Sequence, residues 1–394
     1  MRLNDAGAEL LATLRRILPP EQGPYQLHEP ELTAAEESRV LEALREGYVS
    51  YAGRHVALFE QELARVCGTR SAIAIVNGTI AIQATLTALG IGADDEVLCP
   101  ALTFVATANA IVHAGAVPHF VDCSPTTLGI DAERLDAYLR RISTGTNGTL
   151  RNRQSGRRIA GIMPVHIFGH VGDMAELRQI AGTWNLPIIE DATEALGSRD
   201  AKGLVFNAGT AATLSFNGNK IVTTGGGGAI LTNDDEFAAR LKHLTTTAKR
   251  PHPWRFDHDS IGYNQRMPNL NAALGLAQLS RLDDFVARKR RLAAAYRDAF
   301  AGAAQWRFFA EPDGATSNYW LNVVMLPAAD PDLLETVLGE THAAGYHCRP
   351  CWTPMHRLAI HAASPRDELP QTEDLAARIV CLPSSPKLAD LIAA

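Results

Sequence analysis

The distribution of apolar residues changes twice along this chain and divides it into three regions. In the first region, residues 3–18 carry leucines at helical spacing. A second helix is predicted to begin at Thr33, because Thr33-Ala-Ala-Glu36 has the form of a capping box. A third is predicted from about Val56 to Cys67, with Gly68 ending it. The start of the chain is therefore predicted to be helical.

Short apolar strands alternate with helices in the second region. The predicted strands are Ala72–Val76, Val97–Cys99, His119–Val121, Ile159–Val165 and Pro187–Glu190. The predicted helices are about 79–89, 104–114, 131–141 and 173–184. This alternation predicts an α/β fold with a mostly parallel sheet that helices cover on both faces. The polar, basic stretch Ser143–Arg158 is predicted to be an exposed loop.

The alternation ends near residue 250. A long helical region is predicted over about 268–301 and a further helix over about 331–344. Two strands, Tyr319–Met325 and Tyr346–Arg349, complete the pattern. We interpret this third region as a smaller α+β domain. The predicted division is residues 1–250 for the N-terminal segment with the large α/β domain, and residues 251–394 for the small C-terminal domain.

Composition limits the classes of protein that fit. The chain has 394 residues, of which 46% are hydrophobic, so a large folded core is expected and wholesale disorder is not. The net charge of −6 argues against a nucleic-acid-binding protein. Two long segments, Ser71–Ala93 and Val97–Val121, carry no charged residue. Polar residues and prolines interrupt both, so no membrane span is expected. No signal peptide is visible, and the six cysteines lack disulfide-framework spacing, which predicts a cytoplasmic protein.

One lysine lies in an unusual local sequence, Leu214-Ser-Phe-Asn-Gly-Asn-Lys220, which four glycines, Gly225–Gly228, follow closely. Asn217, Gly218 and Asn219 tolerate positive φ, so a sharp turn is expected there. A lysine held on such a turn can lose solvation and act as an amine nucleophile, as Schiff-base enzymes require. The alternative is a surface lysine beside a glycine hairpin.

Two further places in the α/β region carry candidate binding groups. Asn77-Gly78-Thr79 falls where a buried strand passes into a helix, and such a junction points free backbone N–H groups at an anion. Asp191 and Glu194 follow the apolar strand that ends at Glu190, where ligands bind in open α/β sheets. A protonated heteroaromatic nitrogen would pair with such an acid. The alternatives are a strand–helix turn that binds nothing, and a helix-capping Asp191 beside a solvated Glu194.

The remaining candidates are weaker. Phe104 could offer a stacking face and Ser215 a hydroxyl to a phosphate, although both are also ordinary core or strand residues. Lys249-Arg-Pro-His-Pro-Trp-Arg255 could meet a pyrophosphate and a base, or could be a solvated linker. Cys348-Arg-Pro-Cys351 has CxxC spacing but no second ligand pair, so no metal site is expected. The neighbouring residues are better candidates for sugar or phosphate contacts: His347, Arg349, Trp352 and His356.

Taken together, these residues resemble the DegT/DnrJ/EryC1/StrS family of pyridoxal-phosphate-dependent nucleotide-sugar aminotransferases. The motifs that carry the resemblance are EDATEALGS (190–198), LSFNGNK (214–220), TTGGGG (223–228) and GYNQRMPNLNAALGLAQL (262–279). Other segments resemble the 4-aminotransferases of the legionaminic acid and bacillosamine pathways: ALTFVATANA (101–110), PVHIFGH (164–170), AKRPHPW (248–254) and RPCWTPMH (349–356). The turn Lys202–Asn207 departs from the family, which usually has a more polar, glycine-rich turn there.

The resemblance implies a fold and a set of roles. The fold would be of the aspartate-aminotransferase type (fold type I), a three-layer sandwich with a smaller C-terminal α+β domain, assembled as a homodimer with shared active sites. Lys220 would be the Schiff-base lysine, and Asp191 would pair with the pyridine nitrogen. The other cofactor contacts would be Gly78, Thr79, Phe104, Glu194, Ser215 and, from a second subunit, Asn264. The implied substrate-binding residues are Lys249, Arg250, Trp254, Arg349 and His356.

The implied reaction moves an amino group from L-glutamate to the C4 keto carbon of a nucleotide-linked 4-keto-6-deoxy sugar, expected to be a UDP-linked 2-acetamido sugar. A GDP- or dTDP-linked sugar, or a C3 keto carbon, is the alternative. A related sugar dehydratase would lack Lys220. A nicotinamide-linked dehydrogenase or epimerase would need a glycine-rich dinucleotide turn near the N-terminus, which this chain lacks. A non-catalytic member of the family remains an alternative.

Overall fold

The structure, a computed structural model, describes residues 5–146, 149–200, 206 and 209–392. Its α-helices are α1 (Asp5–Ile17), α2 (Ala34–Glu46), α3 (Arg54–Cys67), α4 (Gly78–Ala88), α5 (Val105–His113), α6 (Ala132–Ile142), α7 (Met174–Trp184), α8 (Asp235–Thr245), α9 (Asn269–Leu279), α10 (Leu282–Phe300), α11 (Pro331–Ala343) and α12 (Pro370–Ala376). Short 3₁₀ helices span Pro20–Gln22, Ile167–Gly169, Met355–Arg357, Ala359–His361 and Pro386–Leu391.

The strands form one large and one small sheet. They are β1 (Ser71–Ile75), β2 (Asp95–Pro100), β3 (Val117–Val121), β4 (Ser143–Thr146), β5 (Thr149–Asn152), β6 (Arg158–Ile162), β7 (Ile189–Asp191), β8 (Ala211–Ser215), β9 (Gly228–Thr232), β10 (Arg307–Phe308), β11 (Asn322–Met325), β12 (Arg349–Pro350) and β13 (Ile379–Leu382). The large sheet contains the orders β1-β9-β8-β7 and β3-β2-β6-β5-β4. Parallel bridges Ile162–Ile188 and Val165–Asp191 join its two halves.

Side-chain alternation along the strands explains why helices cover both faces of this sheet. Ala72 and Ala74 of β1 point into one cluster with α3, α6, α7 and α9. Ile73 and Ile75 point into the opposite cluster, with α4 and α8. The pairs β2–β3, β2–β6 and β7–β8 are parallel, while β9 runs antiparallel to β1 and β8. The predicted α/β sandwich with a mostly parallel sheet is confirmed.

The helix-end signals read from the sequence are present. Thr33 caps α2 with a complete capping box, because its side chain accepts from Ala35 N and Glu36 accepts from Thr33 N at 2.7 Å. Gly68 follows α3 in the left-handed conformation, with φ = 66°. The helical region predicted over 268–301 is instead two helices, because the chain breaks at Ser280–Arg281 between α9 and α10.

The prediction of an exposed loop over Ser143–Arg158 was wrong. β4 and β5 form a hairpin that joins the large sheet beside β6. The buried carboxylate of Glu96 on β2 holds this hairpin: it accepts from Asn152 Nδ2 at 2.9 Å and Ser155 Oγ at 2.6 Å, and lies 2.9 Å from His119 Nδ1. These partners lie far apart in the sequence, so residue composition alone indicated a loop.

The C-terminal part of the chain builds the small sheet, β10-β11-β13-β12, whose strands pair antiparallel. α10 and α11 pack on it, and so does the N-terminal helix α1, through Leu10 and Leu14. Two predicted strands are shorter than expected: Tyr319–Leu321 precede β11, and Tyr346–Cys348 precede β12. The division of domains at residues 250 and 251 stays a prediction.

Candidate active site

One cavity collects most of the residues that the sequence singles out. Its volume is about 340 Å³, and it lies at the carboxyl ends of β1, β7 and β8. Its wall is formed by Asn77, Gly78, Thr79, Ile82, Thr103, Phe104, Ala106, Thr107, Val165, Asp191, Thr193, Glu194, Ser215, Asn217, Asn219, Lys220, Trp320 and Trp352. A site at this edge of the sheet agrees with the general rule for open α/β folds.

The lysine side chain is held inside the cavity. Only 12% of it is exposed, and its Nζ lies 3.3 Å from Glu194 Oε1 and 3.9 Å from the centroid of the Trp320 ring. The reading of Lys220 as a surface lysine is therefore wrong. The turn before it closes through Lys220 N donating to Asn217 O at 3.0 Å. It does so without positive φ at residues 217–219; left-handed backbone occurs instead at Gly225, with φ = 78°.

The glycine run after Lys220 permits close packing of the chain against itself. A Cβ on Gly228 would lie 2.5 Å from the Asn77 carbonyl carbon, and one on Gly227 would lie 2.6 Å from Met267 Cε. The neighbour that approaches Gly228 is thus the junction between β1 and α4. This contact fixes the start of α4 relative to β9.

Two acids line the cavity where β7 ends: Asp191 is the last residue of the strand, and Glu194 follows three residues later. Asp191 is 3% exposed and Glu194 is 4% exposed, so Glu194 is not the solvated acid of the alternative interpretation. Asp191 accepts from Thr107 Oγ1 at 2.7 Å and from Thr193 N at 3.2 Å. Among the described residues, no cationic side chain pairs with Asp191. Burial raises the pKa of the Glu194 carboxyl, although the charge of Lys220 opposes this shift.

These features fit pyridoxal phosphate. A buried carboxylate without a cation suits a protonated pyridine nitrogen, because an unpaired buried charge is costly. The start of α4 suits the phosphate: Gly78 and Thr79 offer free backbone N–H groups, and a Cβ on Gly78 would lie 2.9 Å from Ser215 Cβ. Phe104 is 49% exposed in the cavity wall, with its ring 6.0 Å from that of Trp352, and would offer its open side for stacking. Residues that would hold the group are therefore present.

Two wall residues that contact Asp191 and Lys220 were not identified from the sequence: Thr107 and Trp320. Thr107 lies one helical turn after Thr103, and their hydroxyl oxygens are 2.8 Å apart. That spacing could have indicated a polar stripe on α5. Trp320 comes from the segment before β11, and nothing in the sequence places it beside Lys220. Behind it, Lys289 is fully buried, and burial lowers its pKa well below the usual range.

Most of the predicted substrate contacts lie outside this cavity. Trp352 is the exception: it lines the cavity, with its ring 5.1 Å from that of Phe168. Arg349 is exposed on β12, and His356 Nε2 lies 2.5 Å from Glu373. Lys249, Arg250, Trp254 and Asn264 belong to an exposed arm, residues 246–264. Their roles stay predictions. The departing turn Lys202–Asn207 lies outside the described residues except for Phe206, which is buried.

Two other features are absent from the part of the chain that the structure describes. No group of three or more histidine, cysteine, aspartate or glutamate side chains could hold a metal ion there, and all six cysteines are buried and unpaired. None of the helices described is both long enough and apolar enough to span a membrane.

Comparison with known proteins agrees with the geometry. The sequence profile of the DegT/DnrJ/EryC1/StrS aminotransferase family matches residues 30–391. The chain is 35% identical over 343 residues to a GDP-perosamine synthase from Caulobacter vibrioides, covering 86% of this chain and 87% of that protein. It is 34% identical over 365 residues to a GDP-perosamine synthase from Escherichia coli O157:H7, covering 92% and 94%.

A solved structure shows the same fold. A DegT DnrJ EryC1 StrS aminotransferase from Brucella abortus superposes with a TM-score of 0.80 at 26% identity, over 99% of this chain and 98% of that one. The family resemblance read from the motifs is confirmed, whereas closeness to the legionaminic acid or bacillosamine enzymes is not shown. The chain belongs to the DegT/DnrJ/EryC1/StrS family and is a pyridoxal-phosphate-dependent sugar aminotransferase.

Proposed function

We propose that this enzyme transfers the amino group of L-glutamate to the C4 keto carbon of a nucleotide-linked 4-keto-6-deoxy sugar, in the synthesis of bacterial surface glycans. The observation that carries the proposal is the cavity that joins Lys220, the start of α4 and Asp191, whose buried carboxylate has no cationic partner among the described residues. The family and the GDP-perosamine synthases support the substrate class. We place the enzyme in the cytoplasm, where nucleotide sugars are made.

Each residue has a defined task in this proposal. Pyridoxal phosphate, when bound, supplies the electron sink for the reaction. Asp191 keeps a proton on the pyridine nitrogen by its negative charge, and Thr107 and Thr193 orient that carboxylate. Lys220 Nζ takes a proton from the α-carbon of the amino donor and later delivers one to the sugar carbon. Glu194 approaches the ring hydroxyl and holds Lys220 between these transfers.

Of the three candidate nucleotides, UDP and GDP each have an observation in their favour. The motif resemblance indicates a UDP-linked 2-acetamido sugar. The relatives from Caulobacter vibrioides and Escherichia coli are named for a GDP-linked sugar, which favours GDP. The reverse reaction separates them: aminated GDP- and UDP-linked sugars are each supplied with 2-oxoglutarate, and glutamate formation is measured. We expect the larger kcat/KM with the GDP-linked sugar, and a larger value with the UDP-linked sugar would reverse the order.

The cavity offers few positive charges for its negatively charged substrates, so we infer that residues outside its wall complete the binding site. Of the residues in its wall, Lys220 is the one cation, against the two carboxylates Asp191 and Glu194. Glutamate and a nucleotide sugar both bring negative charge. The exposed arm, residues 246–264, carries Lys249, Arg250 and Arg255 against Asp257 and Asp259, and Arg250 Nε lies 3.4 Å from Asp259. It also carries apolar side chains left largely open to solvent: Trp254 at 77%, Phe256 at 78% and Ile261 at 92%. Such an apolar patch is typical of an interface. We therefore propose a homodimer in which this arm completes the partner's site.

The first prediction concerns the charges of this arm. Lys249→Ala with Arg250→Ala is expected to raise the KM for the nucleotide sugar by about two- to thirtyfold, if each lost contact is worth about 0.2–1 kcal/mol. The half-reaction with glutamate should hardly change, because the amino donor carries no pyrophosphate. Steady-state kinetics at rising salt should show the difference from wild type shrinking, since salt screens exposed charges.

The control removes two exposed charges elsewhere, by Arg297→Ala with Lys387→Ala. It produces the same change in net charge and should leave the KM unaltered. An equal increase in KM in both double variants would show that the change in net charge causes the effect, and not the loss of Lys249 and Arg250.

The second prediction tests whether sites are shared between subunits. If Asn264→Ala is itself impaired, a verified heterodimer of Lys220→Ala and Asn264→Ala chains contains one intact site. Activity should return to about half of the wild-type value in such a mixture. Sequential affinity chromatography on two different tags isolates the heterodimer, and size-exclusion chromatography verifies that it is a dimer. No recovery, or a fully active monomer, would contradict the shared site.

The third prediction concerns Thr107. Thr107→Val removes the donor to Asp191 Oδ2, and a hydrogen bond to a charged group contributes about 1.5–3 kcal/mol. We expect the half-reaction with glutamate, followed by stopped-flow absorbance, to slow by about tenfold or more. Thr107→Ser keeps the hydroxyl and should retain most of the rate. Equal rates for the valine and serine variants would show that the hydroxyl does not act on Asp191.

A further inference from the structure

Trp320 forms one side of the place where the Lys220 amine lies. Lys220 Nζ is 3.9 Å from the centroid of the Trp320 ring, and Glu194 Oε1 lies 3.3 Å from the same nitrogen. The amine is therefore held between an aromatic face and a buried carboxylate. Both partners favour a cation, the ring through its quadrupole and the acid through its charge.

The same tryptophan is hydrogen-bonded to the turn before Lys220 and, through Asn318, to the segment that carries Glu194. Its indole Nε1–H donates to Asn219 O at 2.7 Å, on the residue directly before Lys220. Its backbone N–H donates to Asn318 Oδ1 at 2.7 Å. The Asn318 amide in turn donates to Glu194 O and Leu196 O, both at 2.9 Å. One side chain thus contacts the lysine amine and fixes the turn that carries it.

A buried lysine anchors Trp320 from behind. Lys289 on α10 is fully buried, and its Nζ donates to Trp320 O at 3.1 Å and to Ser384 O. Among the described residues, no carboxylate pairs with it. Burying an amine without a counter-ion is costly, so its two carbonyl bonds are the contacts that hold it. An apolar side chain here would leave the Trp320 carbonyl without this donor.

We propose that Trp320 is a positioning residue that holds the free amine of Lys220 against its ring whenever that amine is not bonded to the cofactor, with Lys289 anchoring Trp320. The proposal rests on the proposed function for its role in catalysis. The position of the amine itself belongs to the cofactor-free protein. It can therefore be tested separately.

The test uses reductive methylation with ¹³C-formaldehyde on the cofactor-free full-length protein, followed by NMR of the dimethyl-lysine signals. The chain has six lysines, so the spectrum is simple. The face of an aromatic ring shifts nearby methyl signals upfield, so the Lys220 signal should lie upfield of those from exposed lysines. Lys249 needs its own assignment, because its Nζ lies 4.0 Å from the Phe256 ring. Signals are assigned by their loss in Lys220→Ala and Lys249→Ala.

Two variants of Trp320 distinguish the contribution of its aromatic ring from that of its indole donor. Trp320→Met removes both the aromatic face and the indole donor, so the Lys220 signal should move to the exposed-lysine region and the amine should be methylated faster. Trp320→Phe keeps a ring without the donor and should retain part of the shift. In the cofactor-loaded enzyme, the methionine variant should slow the glutamate half-reaction by about tenfold. The phenylalanine variant should slow it less, and neither should much change the affinity for glutamate.

The outcomes are distinguishable. A wild-type Lys220 signal among those of the exposed lysines, or the same shift and methylation rate in Trp320→Met, would overturn the proposal. If Trp320→Met does not fold, the proposal is tested by the upfield shift of the Lys220 signal in the wild type and by the reduction of that shift in Trp320→Phe. A shifted signal in a protein without aminotransferase activity would refute the proposed function and leave the position of the amine intact. A shifted signal with unchanged half-reaction rates in both variants would overturn the positioning role.

Discussion

Lys220→Ala is expected to lower turnover by at least about 10⁴-fold, the upper range for loss of a proton-transfer group. No other amine lines the cavity among the described residues, so none can replace it. The variant should still bind the cofactor. The start of α4, Ser215 and Asp191 are unaffected by the substitution, and they hold the phosphate and the ring in our account. Turnover is measured with saturating glutamate and nucleotide ketosugar, and cofactor content after dialysis.

Lys387→Ala is the matched control, because it removes an exposed lysine near the C-terminal end of the sequence. It should have wild-type turnover. Substantial turnover by Lys220→Ala would show that this lysine is not the proton-transfer group. Loss of cofactor from a folded Lys220→Ala protein would instead contradict the phosphate site at the start of α4.

Asp191→Asn is expected to give the second largest effect. The amide has the same shape but no charge, so it cannot stabilise a proton on the pyridine nitrogen. Asp191 is buried, and its charge acts in a medium where it is little screened. We expect the half-reaction with glutamate to slow by about 10²–10³-fold, as for other buried electrostatic stabilisers in active sites. Stopped-flow absorbance of the bound cofactor measures it.

The variant should remain folded and should still bind the cofactor. Asp191 accepts a backbone hydrogen bond from Thr193, and the side-chain amide oxygen introduced by the substitution can accept the same bond. Thermal unfolding checks the fold. A half-reaction rate equal to wild type would reduce Asp191 to a residue that orders the turn after β7.

Local signals predicted the parts of the site that lie within single segments. The junction at Asn77-Gly78-Thr79 and the acids Asp191 and Glu194 at the end of β7 could be predicted from an apolar strand followed by polar residues. The place of Lys220 on a tight turn could be predicted from Asn217-Gly218-Asn219, although that turn forms without the positive φ that was expected. In each case one short segment carries both the side chain and the element that positions it.

Contacts between distant segments could not be predicted in the same way. Trp320 reaches Lys220 from a position 100 residues further along the chain, since the segment before β11 returns to the large sheet. The hairpin over β4 and β5 depends on Glu96, whose hydrogen-bond partners are 23 to 59 residues away. Lys289 lies in the basic sequence Arg288–Arg291, and nothing in that sequence indicates that this lysine is fully buried. Polar groups in these places are paired by tertiary structure, which residue periodicity does not report.

The transfer of nitrogen from glutamate to the sugar can be followed with an isotope label. The enzyme is loaded with pyridoxal phosphate and given ¹⁵N-labelled L-glutamate with a GDP-linked 4-keto-6-deoxy sugar, and in parallel with its UDP-linked 2-acetamido counterpart. Mass spectrometry follows both products. We expect one ¹⁵N atom in an aminated nucleotide sugar, with an equal amount of 2-oxoglutarate, and neither product with Lys220→Ala. Ketosugars that remain free of ¹⁵N while the loaded enzyme is intact would contradict it.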